Sequence, residues 1–379
     1  MLFVAPELDQ RELEVLGQVE ELKHALRWQL NEPRRWAGSL RRLSFARNIR
    51  ASNSIEGFDA TLDDAAALAL GEEPLDANTE TRLAIEGYRN AMTYVLQLAQ
   101  EPPVEYTEQL VKSMHFMMTQ HELKNRPGRW RLGPIYVQDE RSGAIVHEGA
   151  DIESVPALMG ELVSDLTAGS STPIVRAAMA HLNLVMIHPF RDGNGRMARA
   201  LQSLVLAAEG TLTPVFMSIE EYLGRNTQDY YDVLARVGGG AWQPMRDARP
   251  WIRFAITAHL RQARTLQRRV RESESLWQML ERVVEQAGVP DRTIPVLFDA
   301  ALNLRVRNST YRASLAQSGD EITEATASRD LGKLVEADLL RAVGEKRGRY
   351  YARSDRLRAI HEAIVKARNP KDVSDPFAE

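Results

Sequence analysis

Apolar residues in the first hundred positions recur at helical rather than strand spacing. Leu13, Val15, Leu16, Val19 and Leu22 keep a period of three to four residues, and Leu8-Asp9 ahead of them supplies a start signal. Pro33 breaks the next stretch, and Ser39 to Asn53 reads as an arginine-rich helix. Asn78 or Thr79 caps a helix bearing Leu83, Ile85, Tyr88 and Met92. Pro102-Pro103 marks a loop, and Thr107 to Met118 is again helical, with Met92, Met114, Met117 and Met118 as core filler. The period then changes. Residues 134–138 and 143–147 are short β-prone runs around the polar turn Asp139-Glu140-Arg141-Ser142. A hairpin of that size is marginal alone and offers an edge to something else.

Ser171-Thr172-Pro173 combines a cap with a proline in the first turn. The helix that follows is apolar almost all round, which predicts a buried central helix delivering His188 at its C-terminal end. His181, on a similar face, has no partner at ligand spacing and reads as a satisfied core histidine. A further helix passes through Leu201, Leu204, Val205 and Leu206 and stops near Gly210. Asn226 to Tyr231 lies on another, where Tyr230 and Tyr231 point about 100° apart, so at most one faces a ligand. Gly238-Gly239-Gly240 ends it, Trp251 to Leu260 closes the domain, and Arg261 to Arg271 reads as a linker helix. From Asp291 the pattern is three helices and then a hairpin.

The chain has 379 residues, enough for two or three domains, and its 44% hydrophobic and 26% charged content is ordinary for a globular protein. No apolar run approaches the ~20 residues a membrane helix needs. Met1 to Gln10 lacks a basic region followed by an apolar block, so no signal peptide is expected. The absence of cysteine excludes disulfides, thiolate nucleophiles and thiolate metal sites, and agrees with a cytoplasmic location. A net charge of −4 exerts no global pull toward nucleic acid or an anionic membrane.

The segment His188-Pro189-Phe190-Arg191-Asp192-Gly193-Asn194-Gly195-Arg196-Met197-Ala198-Arg199 concentrates the chemistry. Gly193 and Gly195 tolerate positive φ and close approach, so the turn can wrap an anion with backbone N–H groups. The helix after it points partial positive charge at the same anion. Arg196 and Arg199, three apart, share a helix face and can fork onto further oxygens of one polyphosphate. His188 stands where a base can deprotonate an incoming hydroxyl, and Asp192 is a carboxylate able to bind a metal.

This segment resembles the signature of the Fic family, His-x-Phe-x-(Asp/Glu)-Gly-Asn-Gly-Arg-x-x-Arg, at every fixed position. The resemblance implies a mainly α, Fic-type helical bundle with a β-hairpin flap, and transfer of AMP from ATP to a hydroxyl of a protein. It makes His188 the general base and Asp192 the Mg²⁺ ligand. Gly193, Asn194 and Gly195 become the anion hole, Arg196 meets the β-phosphate, Arg199 the γ-phosphate, and Phe190 anchors the loop. Asn125 to Arg131 also looks like family sequence. The hairpin at about 134–147 would hold the protein substrate by strand addition. Asn226 and Tyr230 would line the adenine pocket. Upstream, Ser52-Asn53-Ser54-Ile55-Glu56-Gly57 is similar to the family's inhibitory motif, in which Glu56 pairs with Arg199 in place of the γ-phosphate.

Near the C-terminus, Ile322 to Leu334 has the look of a recognition helix, with wing strands at 339–343 and 349–352, a C-terminal winged helix-turn-helix. From 341 to 358 seven Lys or Arg face two acids, a local balance of +5 that suits phosphates, although Glu324 and Asp330 make the field of the helix itself mixed. The expected division is an N-terminal helical region with the inhibitory helix at 1–75, a catalytic core at 76–265, and a linker helix with the winged-helix domain at 266–379. Partners implied are ATP, a protein substrate, DNA through the winged helix and, as in family relatives, a second copy in a homodimer. Two other activities fit the same residues: a hydrolase that removes AMP with Glu56 activating water, and a DNA-binding regulator whose core only senses nucleotide.

Overall fold

Asp9 starts the first helix: its Oδ1 accepts from the Glu12 amide at 2.8 Å while its own amide donates to Glu12 Oε2 at 2.9 Å. This reciprocal cap satisfies two donors that a helix end leaves orphaned. The computed structural model describes the chain except residues 32–33, 102, 139–142, 170, 209, 211–215, 217, 318, 346–347, 370–373 and 379, and the side chains of Trp28 and Asn31. The expected break at Pro33, the loop proline Pro102, the polar turn Asp139 to Ser142 and the basic pair Lys346-Arg347 lie outside the described residues.

The N-terminal helices are α1 (Gln10–Asn31), α2 (Ala37–Ser54), α3 (Leu62–Ala69), α4 (Thr79–Leu98) and α5 (Glu108–Thr119). A hairpin of β1 (Tyr136–Gln138) and β2 (Ile145–Glu148) follows, then α6 (Val155–Ala168), α7 (Pro173–Ile187), α8 (Asn194–Ala208), α9 (Glu220–Arg225) and α10 (Thr227–Gly238). The long helix α11 (Arg249–Ala287) leads to α12 (Ile294–Ala301), α13 (Asn308–Ala316), α14 (Glu324–Glu336), β3 (Leu340–Val343), β4 (Tyr350–Arg353) and α15 (Asp355–Lys366). As the all-round apolar pattern requires, α7 is the buried centre, with α8, α6 and α11 against it. Asn78 and Thr107 cap α4 and α5 by accepting from Thr81 and Leu110 amides. Thr172 takes the N-cap position of α7 in extended backbone, but its hydroxyl makes no cap bond; Pro173 with its preset φ begins the helix.

The boundary at 265–266 falls inside α11, a single helix of 39 residues whose buried stripe runs without a break from Trp251 to Val284. One apolar cluster spans the chain from Leu2 to Leu357. Asp330 does not face outward from α14. It is buried, held by Arg292 through two bonds of 2.7 and 2.8 Å and by the Tyr311 hydroxyl at 3.1 Å. The three C-terminal helices and hairpin are present, and Val306 exchanges two backbone bonds with Tyr351, 2.8 and 2.7 Å long, which adds a short third strand position. Arg42 of α2 reaches this unit, bonding Asp299 at 2.5 Å and Ser314 at 2.7 Å.

Helices α4 and α5 pack tightly at Gly87, where an added Cβ would stand 2.4 Å from the Met118 carbonyl oxygen. Gly87→Ala should therefore lower stability by about 1–3 kcal/mol through overpacking. The measurement is urea unfolding at unchanged slope; a midpoint equal to wild type would mean the two helices part without cost.

Candidate active site

Helix α7 ends on His188, whose backbone is left-handed (φ 56°, ψ 57°), and its amide still bonds the Leu184 carbonyl at 3.0 Å. Pro189 prevents further helix. A non-glycine residue holds this conformation only where its surroundings impose it. His188 Nδ1 lies 2.9 Å from the Val185 carbonyl oxygen. A carbonyl can only accept, so Nδ1 carries the hydrogen and Nε2 keeps its lone pair. Burial drives the imidazole pKa down to about 4 against the opposing pull of the Val185 bond. The ring is therefore neutral, and basic at Nε2, at physiological pH.

The loop after His188 is fixed from several sides. Phe190 is fully buried, stacked on His115 with centroids 3.7 Å apart and tilted against Trp130 at 4.9 Å. His115 Nδ1 accepts from the Gly128 amide at 2.9 Å, so Nε2 donates to the Asp192 carbonyl oxygen, also at 2.9 Å. The Asn194 side chain closes on the backbone of Phe190, accepting from its N–H and donating to its C=O, both at 2.9 Å. Arg131 donates to the carbonyls of His188 (2.9 Å), Gly133 (2.6 Å) and Ala150, and its amide bonds the Pro189 carbonyl. Sequence pattern missed these roles for His115 and Arg131. Only the family-like look of Asn125 to Arg131 pointed to the second.

The open side of the loop faces the first turn of α8. Gly193 has φ 75°, and the N-terminal amides of α8 follow it. Arg196 is buried, 3.4 Å from Asp192 Oδ2 and over the Phe58 ring at 5.1 Å, and its Nε and Nη1 have no partner among the described residues. Unmet buried guanidinium donors are costly and ready for an anion. Asp192 is half-buried, touched at Oδ2 by Asn125 at 3.3 Å. Among the described residues no three His, Asp or Glu gather into a cage for a metal. A single outward carboxylate beside an anion site suits Mg²⁺, which keeps most of its waters and takes substrate phosphates as ligands.

Arg199 lies beneath that turn and is buried. Its Nε donates to Ser52 Oγ at 2.7 Å, and its Nη2 to the Ser52 carbonyl at 2.8 Å and to Glu56 Oε1 at 2.7 Å. Ser52 is in the last turn of α2, and Glu56 sits in the turn after it, before Gly57 at φ 82°. Burial would raise the Glu56 carboxyl, but Arg199 and Arg196 outweigh it and hold the pKa below the ordinary carboxylate range. A Cβ on Gly195 would stand 2.4 Å from Glu56 Oε1. That close approach is the physical reason for glycine at the start of α8.

Of the two tyrosines, Tyr230 is the packed one. It is buried, and its hydroxyl meets His181 Nε2 at 2.9 Å, while His181 Nδ1 meets Gln202 at 2.6 Å. His181 is thus a satisfied core residue, and Tyr230 is not open to a ligand. Tyr231 is the exposed neighbour, its hydroxyl donating to the Ile55 carbonyl beside Glu56 at 3.0 Å. Asn226 stands between α9 and α10, its amide on the Tyr222 carbonyl. The hairpin borders the site: Gly149 bonds Ile135, Glu148 bonds Gly240, and His147 reaches the Met186 carbonyl at 2.9 Å. Tyr136 and Ile145 are exposed on it.

Residues 105–206, which contain the whole loop, match the profile of the Fic/DOC family. The protein adenylyltransferase Fic of Nematostella vectensis is 27% identical over 265 residues, 66% of this chain and 55% of that protein. The protein adenylyltransferase fic-1 of Caenorhabditis briggsae is 36% identical over 96 residues, 25% of this chain and 17% of that protein. The chain thus spans about half or less of the length of these curated relatives. A crystal structure of a Fic family protein from Desulfovibrio desulfuricans G20 superposes with a TM-score of 0.58 at 21% identity, over 92% of this chain and 98% of that one, a likeness of fold. The segment 105–206, which carries the loop and its clamps, is thus the part of the chain that is similar to the Fic/DOC family.

Proposed function

We propose that this protein transfers AMP from ATP to a hydroxyl of a protein substrate and is held silent by Glu56. The observation that carries the transfer is His188, its free Nε2 beside an anion-ready helix start. His188 Nε2 takes the hydroxyl proton, the hydroxyl oxygen bonds to the α-phosphorus, and the bond to the bridging oxygen breaks, releasing pyrophosphate. Arg196, the α8 amides and, once Glu56 has left, Arg199 stabilise the phosphate charge; such chemistry depends mainly on positioning and electrostatics. Asp192 is the residue that would hold Mg²⁺, which when bound offsets phosphate charge. The substrate segment is proposed to lie along the hairpin as an added strand. Tyr231 and Asn226 are the side chains we assign to the adenine side, Tyr231 replacing the buried Tyr230.

The inhibitory reading rests on the Glu56–Arg199 contact, because a guanidinium fork engaged by a carboxylate is unavailable to a phosphate. With Glu56 seated, its Oε1 is engaged by Arg199, which supports blocking over hydrolysis of AMP in this arrangement. For the C-terminal unit we propose a winged helix. Its basic footprint is thinner than the raw count: Arg353 and Arg356 bond the Ala301 and Ala337 carbonyls, and Arg358 pairs with Asp355. That supports protein contact over DNA contact.

Glu56→Gly should raise self-AMPylation at least about tenfold, the effect of restoring one charge-assisted bond to the nucleotide, measured by mass spectrometry as the increment of one AMP. An unchanged level would remove the inhibitory role. In that background His188→Ala should lower the rate by about 10²–10⁴ while nucleotide binding persists; retained transfer would remove the base. The Glu56→Gly enzyme should keep full activity as pH falls from 8 to 6, with its acid limb near the depressed histidine value of about 4. A limb at the ordinary histidine pKa of ~6.5 would contradict the buried, neutral imidazole.

A further inference from the structure

Glu220, the first residue of α9, is a buried carboxylate that the transfer chemistry does not use. Its Oε1 accepts from the Tyr88 hydroxyl at 2.8 Å and from Ser203 at 3.3 Å, and Ser218 also bears on it. Its Oε2 is buried with no partner among the described residues. Tyr88 meets Ser52 on its other side, and Ser52 holds Arg199. Hydrogen bonds join Glu220 to Tyr88 at one end and Ser52 to Arg199 to Glu56 at the other, with Ser52 and Tyr88 neighbours between them in the core. The neighbouring Glu221 has a different fate: Arg269 of α11, at two distances of 2.6 Å, and Arg225 take its charge, and Arg47 of α2 acts on it too. Glu220 keeps Arg199 as the cation that bears on it, with Tyr88 from α4, Ser203 from α8, and Ser52 and Asn48 from α2 as the polar groups on that side.

We propose that Glu220 is the buried positioning residue that competes with Glu56 for the charge of Arg199, so that ionising Glu220 loosens the inhibitory contact. The inference rests on the inhibitory reading of Glu56 given above. Burial lifts the Glu220 carboxyl to about 7, against the lowering by Tyr88 and Arg199, which places the competition in the physiological range. The sign follows from linkage. With Glu56 seated, the charge of Arg199 is already neutralised, so Glu220 holds its proton more tightly. With Glu56 away, Arg199 favours the ionised form. The seated state binds the extra proton and is favoured at low pH, and it loosens as pH rises through about 7. The strength is about tenfold for each pKa unit by which Glu56 lifts Glu220.

The test is hydrogen exchange of the full chain at the amides of Ile55, Glu56, Gly57 and Phe58, which are bonded to Ala51, Asn53 and Ser54 carbonyls. After correction for intrinsic exchange, their protection should fall several-fold between pH 6 and 8.5. The fall should exceed any change in the α7 amides, which report global opening, and should vanish in Glu220→Gln. Tyr88→Phe, which keeps Glu220 but removes a bond to its ionised form, should move the midpoint to higher pH. Equal pH dependence in wild type and Glu220→Gln overturns the proposal. So does a fall shared equally by α7, or, should Glu220→Gln not fold, an unmoved midpoint in Tyr88→Phe. Exchange reads the contact and not AMP transfer, so an inactive Glu56→Gly enzyme would refute the activity while leaving this result standing.

Discussion

A guanidinium buried away from water needs partners for its donors, and Arg199 finds them for Nε and Nη2 at the end of a helix far away in sequence, while its Nη1 has none among the described residues. Its bonds to Ser52 and Glu56 fasten the end of α2 to the first turns of α8. Removing one partner of a buried pair of this kind costs about 3–5 kcal/mol, because a charge is left without compensation. Glu56 therefore does not leave into water at little cost. Gly195 completes the constraint by letting the carboxylate lie against the helix start.

The rest of the site is built so that little else titrates or moves. His115 clamps the loop as a neutral ring, its pKa pushed to about 4 by burial. Arg131 takes up the carbonyls that flank His188, and the Phe190 stack fills the space behind them. These contacts hold a left-handed histidine that would not adopt that conformation unaided. The chemistry is on an irregular segment, but the precision comes from α5, α7 and α8 around it.

Much of this was legible in the sequence because local patterns carry it. Period and caps gave α1, α4 and α5, the apolar run gave α7, and two β-prone runs gave the hairpin. Ser52, Glu56 and Arg199 come together as the motif pair implied. What stayed hidden depends on distant partners. Asp330 reads as surface charge until Arg292 and Tyr311 close on it. Tyr230 and Tyr231 are equal in sequence, and only the position of His181 decides which is core. Glu220 and Glu221 are equally alike, and their opposite environments come from α4 and α11. Arginine and glutamine on the exposed face of α11 read as a linker helix, and the buried stripe that continues beneath them was not legible from that face.

That helix has a mechanical consequence. Its 39 residues extend about 58 Å at 1.5 Å per residue, with no proline beyond its second position to act as a joint. The half that carries the 188–199 loop and the C-terminal unit share one rod. Torque applied at the far end is transmitted along it rather than absorbed by a slack tether, and Arg42 bonding Asp299 couples the same unit sideways to α2. A binding event at the C-terminal end thus has two stiff routes into the chamber where catalysis is proposed to occur.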